Sequence, residues 1–170
     1  MGGSVARGCG LSEQIRHLVV AGGRGWRDDA IAAALRQHPA KGQIRAVGYV
    51  GPDALRVLYA EALALCYPSL YEGFGLPVVE AMASGTPVLT SKGSSLDEVA
   101  AGAAIAVDPL SVGEIARAML DLAQSSDLRA QLREKGLRRA AELSWAQTAR
   151  ASREVFVNLR DGKCADGTAK

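Results

Sequence analysis

The stretch Tyr67-Pro68-Ser69-Leu70-Tyr71-Glu72-Gly73-Phe74-Gly75-Leu76-Pro77-Val78-Val79-Glu80-Ala81-Met82 decides how this chain is read. The run before it, Ala62-Leu63-Ala64-Leu65-Cys66-Tyr67, is short, apolar and closed by Pro68, and its second half has the pattern of a buried parallel strand. Gly73 and Gly75 permit a tight turn and bring backbone N–H groups close to a ligand. Pro77 suits the first turn of a helix, where its missing N–H costs nothing. The N–H groups left free at that helix end, with the dipole behind them, favour a phosphate. Glu80 stands four residues after Leu76 and is expected to face the same helix mouth. Glu72 lies on the turn itself. Two carboxylates beside an anion site make sense as hydrogen-bond acceptors, and sugar and ribose hydroxyls are the donors that fit. Read alone, the segment serves equally well as a plain turn whose first-turn Glu complements the helix dipole.

Outward from this segment, strands and helices alternate. His17 to Ala21 predicts a buried strand, Asp29 to Gln37 a helix, and Ile44 to Tyr49 a second strand. Asp53 is expected to cap a helix whose Leu55, Leu58, Tyr59 and Ala62 fall at helical spacing. Thr86 to Thr90 and Ala104 to Val107 supply two more strands, and Ser95 with Glu98 fits a capping box. Val112, Ile115, Ala116, Met119 and Ala123 form one apolar stripe. Asp127 opens the next helix, ended or bent near Gly136 or later. Ser144 with Gln147 fits a capping box for a last helix carrying Val155, Phe156 and Leu159 inward. This alternation predicts an α/β fold, a Rossmann-like parallel sheet flanked by helices, with ligands at the carboxyl ends of the strands. Residues 1–14 read as disordered or added sequence, 15–160 as one domain, and 161–170 as a disordered tail.

Composition narrows the function classes. A chain of 170 residues with 48% hydrophobic and 22% charged residues is long enough for one well-packed core. Its net charge of +2 gives no argument for nucleic acid. Arg133, Lys135, Arg138 and Arg139 cluster, and read as a solvated helix face. No apolar run approaches the roughly 20 residues that span a bilayer, and the Gly-rich opening lacks a signal peptide's apolar stretch. Cys9, Cys66 and Cys164 form no close-spaced metal motif and read as free thiols in a reducing compartment, Cys66 as a small buried apolar residue. The expected location is cytoplasmic, with peripheral attachment at the inner membrane surface as the alternative.

Other segments carry weaker signals. Gly22-Gly23-Arg24-Gly25-Trp26 follows the first predicted strand, but its glycine spacing is not the dinucleotide fingerprint, and a flexible turn explains it equally well. Lys92 is a candidate partner for a diphosphate, with a surface lysine the default reading. His17 and His38 lack ligand spacing, and no metal is expected.

Glu72 and Glu80, with seven residues between them that include Gly-Phe-Gly-Leu-Pro, resemble the signature of the family-4 retaining glycosyltransferases of the GT-B fold. Leu18-Val19-Val20-Ala21-Gly22-Gly23, Val47-Gly48-Tyr49-Val50, Ala83-Ser84-Gly85-Thr86-Pro87-Val88, Val107-Asp108-Pro109-Leu110 and Leu143-Ser144-Trp145 resemble further segments of that family, in its order. The resemblance runs from about Arg16 to Leu159, and such ordered agreement is far more specific than one motif. It implies the C-terminal half of a GT-B enzyme, the domain that binds a nucleotide sugar.

By that resemblance Glu72 is catalytic: it orients the donor sugar through its hydroxyls and stabilises positive charge at the anomeric carbon. Gly73, Phe74, Gly75 and Leu76 receive the diphosphate, and Glu80 holds the ribose hydroxyls. Tyr49 and Val50 line the nucleobase pocket, and Gly22 and Gly23 lie near the donor. No cofactor beyond the nucleotide-diphosphate sugar is implied. The absence of an Asp-x-Asp separates the chain from metal-dependent transferases of the other major architecture. The family's opening strand and its loop, which supply an Arg and a Lys to the diphosphate, have no counterpart before His17, and Arg7 and Arg16 do not stand in that pattern. The sheet is therefore expected to be truncated at its N-terminus, the acceptor domain to be missing, and a hexosyltransferase activity to be weak or absent in this chain alone. The alternative is a non-catalytic nucleotide-sugar binding or self-associating module. An epimerase or phosphorylase of the same architecture would need catalytic groups that the sequence does not display.

Overall fold

The computed structural model describes residues 17–23 and 28–161. The expectations for residues 1–14, Arg7, Arg16, Cys9, Trp26, Cys164 and the tail beyond Asp161 lie outside them. In chain order the elements are β1 (Leu18–Ala21), α1 (Asp28–Gln37), a 3-10 turn (Lys41–Gln43), β2 (Ile44–Gly48), α2 (Pro52–Glu61), β3 (Leu65–Tyr67) and α3 (Leu76–Ala83). They continue with β4 (Val88–Ser91), α4 (Ser95–Ala100), β5 (Ile105–Val107), α5 (Val112–Gln124), α6 (Ser126–Glu142) and α7 (Trp145–Arg160).

Every strand pairing is parallel, but the strands form two sheets, β1-β2 and β3-β4-β5. Doubly wound sheets commonly run in the order 3-2-1-4-5-6, with the first strand in the middle. The described strands fall into a pair and a trio, the grouping on either side of that strand. β4 is the central strand of its sheet and is buried throughout. Val88 and Leu89 point to opposite faces and anchor separate cores, as the two-residue period of a strand requires. One core joins α2, α3 and α4 through Tyr59, Val78, Met82, Leu96 and Val99. The other joins β5, α5 and α6 through Val107, Ile115, Leu122 and Leu132. The strand predicted at His17 to Ala21 forms as β1, but it is not buried as expected. Only alternate residues of β1 are half-buried and Val19 is 42% exposed, because among the described residues β1 pairs with β2 alone.

Several local expectations change once packing is considered. Gly51, not Asp53, is the N-cap of α2, and Ala62 lies past its end. α4 is capped by Ser94, whose Oγ accepts from Leu96 N at 3.3 Å, so the Ser95–Glu98 box does not form. On α5 the buried stripe is Ile115, Ala118 and Leu122, while Val112 is exposed. Ser125 rather than Asp127 caps α6. α6 runs on past Gly136 and ends at Glu142, within the range expected for its end. Gly136 is buried where α6 crosses α3, and a Cβ there would sit 3.2 Å from Met82 Cγ. The Ser144–Gln147 capping box is present, but α7 does not turn its apolar residues inward: Phe156 is 71% exposed.

The basic cluster is also more than a solvated face. Arg133 donates to Gly85 O at 3.1 Å, just past the end of α3. Arg139 Nε donates to Val99 O at 2.8 Å in the last turn of α4. Arg129 Nη1 does the same at the end of α5, to Leu122 O at 2.7 Å. Cations at helix C-termini meet unpaired carbonyls and the negative end of the dipole. α6 thus fastens three helix ends to one rod, while Arg138 pairs with Glu134 of its own helix.

Candidate functional site

Each predicted site segment follows a strand at its carboxyl end. Gly22 and Gly23 follow β1, Tyr49 and Val50 follow β2, and the turn from Pro68 to Gly75 joins β3 to α3. Gly22 N donates to Gly48 O at 2.8 Å, so the first two segments lie side by side. Tyr49 is 81% exposed and Val50 half-buried. Among the described residues no strand pairing joins this pair of strands to the sheet that carries the turn.

The turn is held by its neighbours. Ser91 Oγ, buried at the end of β4, donates to Ser69 O at 2.5 Å. Ser95 Oγ, in the first turn of α4, donates to Glu72 O at 2.6 Å. Thr90 Oγ1 reaches Tyr67 O at 3.4 Å. Hydroxyls on a fully buried strand must find acceptors; Ser91 finds one in the turn and Thr90 at the end of β3. The sequence signal for them was Thr90-Ser91 at the end of an otherwise apolar run.

Gly75 is the N-cap of α3 with φ 92 and ψ 50, the left-handed region that glycine adopts freely. Pro77 stands in the first turn, where it sacrifices no bond. Gly73 has open space around it and no positive φ, so the tight-turn demand falls on Gly75 alone. Val78 N is satisfied by Gly75 O at 2.9 Å. The N–H groups of Gly73, Phe74, Gly75 and Leu76 donate to no acceptor among the described residues. Phe74 and Leu76 are 46% and 49% exposed, which leaves the mouth of α3 open.

The carboxylates flank this mouth in sequence, and each accepts from a tyrosine. Tyr67 Oη donates to Glu72 Oε1 at 2.8 Å, and Tyr59 Oη donates to Glu80 Oε2 at 3.3 Å. Burial, then the Glu72 hydrogen bond, pushes the Tyr67 phenol up to about 12. Burial first and Glu80 second raise the Tyr59 phenol as well. Burial alone pushes the Cys66 thiol up to about 11. Lys92 is half-exposed and pairs with Glu114 Oε2 at 3.2 Å, so its ammonium is engaged by α5. Glu114 lies below the usual carboxylate range, chiefly because it accepts from Asp108 N, and then from Lys92. Among the described residues no three His, Cys, Asp or Glu side chains gather where a metal would sit. No described helix is long and apolar enough to cross a membrane.

The raised acids carry a pH prediction. Their ordinary values are 9.0 for Cys66 and 10.0 for Tyr67, and the folded chain holds both protons to about 11 and about 12. The stability they contribute is complete below the ordinary values and is lost as pH rises through the folded ones. Urea unfolding at stepped pH should show a flat stability to about pH 9, then a decline. A stability still flat at pH 11 would contradict this burial.

Solved structures with this arrangement are GT-B glycosyltransferases, and the chain is one domain of that architecture. Sucrose-phosphate synthase from Thermosynechococcus elongatus matches with a TM-score of 0.72 and 27% identity over 83% of this chain and 39% of that one. Anabaena Alr3699/HepE, solved in complex with UDP and glucose, shares the fold at a TM-score of 0.73 and 17% identity, over 84% of this chain and 40% of its own. The chain belongs to the family described as glycosyl transferases group 1, whose model matches residues 10–139. The O-antigen chain mannosyltransferase B of Escherichia coli is 41% identical over 128 residues, 75% of this chain and 34% of that protein. The MMP alpha-(1->4)-mannosyltransferase of Mycolicibacterium hassiacum is 41% identical over 108 residues, 61% of this chain and 26% of that protein. The chain thus spans about a third or less of the length of these relatives.

Proposed function

We propose that residues 15–160 are the donor-binding domain of a retaining, metal-independent glycosyltransferase that moves a hexose from a nucleotide sugar to an acceptor hydroxyl. The observation that carries this reading is the run of open N–H groups from Gly73 to Leu76 at the mouth of α3. Charge building on a departing diphosphate is met there by fixed donors that need no reorganisation. Glu72 orients the sugar and stabilises the positive anomeric carbon, and Glu80 accepts from the ribose hydroxyls. Tyr49 and Val50 border the base, and Gly22 and Gly23 lie near the donor. The mannosyltransferase names of the relatives support a mannosyl group as the sugar. The acceptor enters from a separate domain. The chain by itself binds donor weakly and transfers sugar poorly, in a cytoplasmic setting or at the inner membrane surface. Efficient turnover by the purified chain would contradict that.

The test is Glu80→Ala in the full-length enzyme. A lost hydrogen-bond pair to a charged acceptor should weaken nucleotide binding by calorimetry about tenfold to a hundredfold. Unchanged affinity would remove the ribose role.

A second reading, a self-associating module, is favoured by one feature. α7 leaves Trp145, Val155, Phe156 and Leu159 exposed. Apolar faces of this kind seek cover. Sedimentation of the chain as a clean monomer at micromolar concentration would exclude it.

A further inference from the structure

Neither tyrosine that touches a site carboxylate belongs to the turn or to the helix that carries the acids. Tyr67 closes β3, paired to β4 with Tyr67 opposite Thr90. Tyr59 lies in α2, is 8% exposed, and its carbonyl accepts from Thr86 Oγ1 at 2.5 Å. Both phenols are therefore fixed to the scaffold, whereas Glu72 sits on a turn and Glu80 on an exposed helix face. Each carboxylate has one oxygen occupied, Glu72 Oε1 at 2.8 Å and Glu80 Oε2 at 3.3 Å. The other oxygen of each accepts from no group among the described residues.

A glutamate with one oxygen tied presents the second in a restricted set of orientations. Restricting a long side chain before the ligand arrives removes rotamer entropy that binding would otherwise cost. Binding groups held to rigid elements in this way keep their geometry better than groups left to a loop.

We infer that Tyr67 and Tyr59 are positioning residues, Tyr67 orienting Glu72 toward the sugar hydroxyls and Tyr59 orienting Glu80 toward the ribose hydroxyls. The inference rests on the donor site proposed above. Both phenols hold their protons across the neutral range, so each acts as a donor and not as an acid or base of the reaction. The shorter bond makes Tyr67 the stronger of the two.

The test is a pair of double-mutant cycles on the chain, read by NMR titration with UDP-glucose and GDP-mannose. Tyr67→Phe should weaken binding about tenfold and Tyr59→Phe a few-fold. In the Glu72→Ala background Tyr67→Phe should change affinity less than about twofold, because the group it acts through is gone. The same holds for Tyr59→Phe in Glu80→Ala. A ligand-free arm follows the carboxyl carbons of labelled glutamate: Tyr67→Phe should move the Glu72 resonance and spare Glu80, and Tyr59→Phe the reverse. Binding in the wild type with additive cycles overturns the positioning role and leaves the donor site standing. Carboxyl resonances that ignore both substitutions overturn it without reference to any ligand. Resonances that respond in a chain that binds neither nucleotide sugar overturn the donor site, and the orienting role with it.

Discussion

Glu72→Gln in the full-length enzyme should lower the transfer rate by about two to three orders of magnitude, with little change in nucleotide affinity. The substitution keeps the side chain's length and its ability to accept from Tyr67 Oη, now 2.8 Å from Oε1. Ser95 Oγ continues to hold the backbone of residue 72 through its carbonyl. What disappears is the negative charge, which the proposed mechanism uses only as positive charge builds at the anomeric carbon. An interaction made in the transition state and not in the ground state acts on kcat and leaves KM nearly unchanged. Thermal unfolding should stay where it was, since no packing is removed. Normal kcat in the Glu72→Gln enzyme would remove Glu72 from the chemistry and reduce the turn to a binding loop.

Gly75→Ala should cost about 2–5 kcal/mol of folding stability, the sum of a left-handed backbone penalty and an overpacked core. The position has φ 92, and an added Cβ would lie 2.1 Å from Leu96 Cδ2. Leu96 is fully buried among Val78, Met82 and Val99, so its methyl has no empty space to enter. Relief by moving α3 away from α4 would also disturb the mouth that carries the open N–H groups. Urea unfolding measures the loss. Leu96→Ala combined with Gly75→Ala should cost less than the two alone, because the cavity of one takes the methyl of the other. Stability of the single Gly75→Ala variant within about 1 kcal/mol of the parent would mean that the turn relaxes freely.

The turn between β3 and α3 was legible because its chemistry is local. A proline that cannot continue a strand, glycines and a proline that starts a helix specify a strand-to-helix corner without help from distant residues. The capping box at Ser144 was readable for the same reason. Caps that depend on a choice between adjacent polar residues were not. Ser94 and Ser95, Ser125 and Asp127, and Gly51 and Asp53 differ by one or two positions, and packing of the helix decides which member ends outside it.

Gly136 shows how far local signals can mislead. A glycine inside a helical pattern reads as a break, yet here it permits α6 to cross α3 against Met82. The arginines of α6 carry the same lesson with charge: their partners are the ends of α3, α4 and α5, up to 48 residues away in the chain. Spacing along one helix cannot reveal an acceptor on another. The inward orientation expected for Phe156 failed because amphipathic periodicity records which face is apolar and not whether anything covers it.

The order of elements, the parallel α/β class and the family membership were all contained in the residues, since periodicity, turn chemistry and motif order are properties of short stretches. The division into two sheets, the tyrosines that hold Glu72 and Glu80, and the serines that pin the turn became visible only in three dimensions. Each of those joins groups from different elements, and their partnership depends on how strands and helices stack, which no stretch of chain encodes alone.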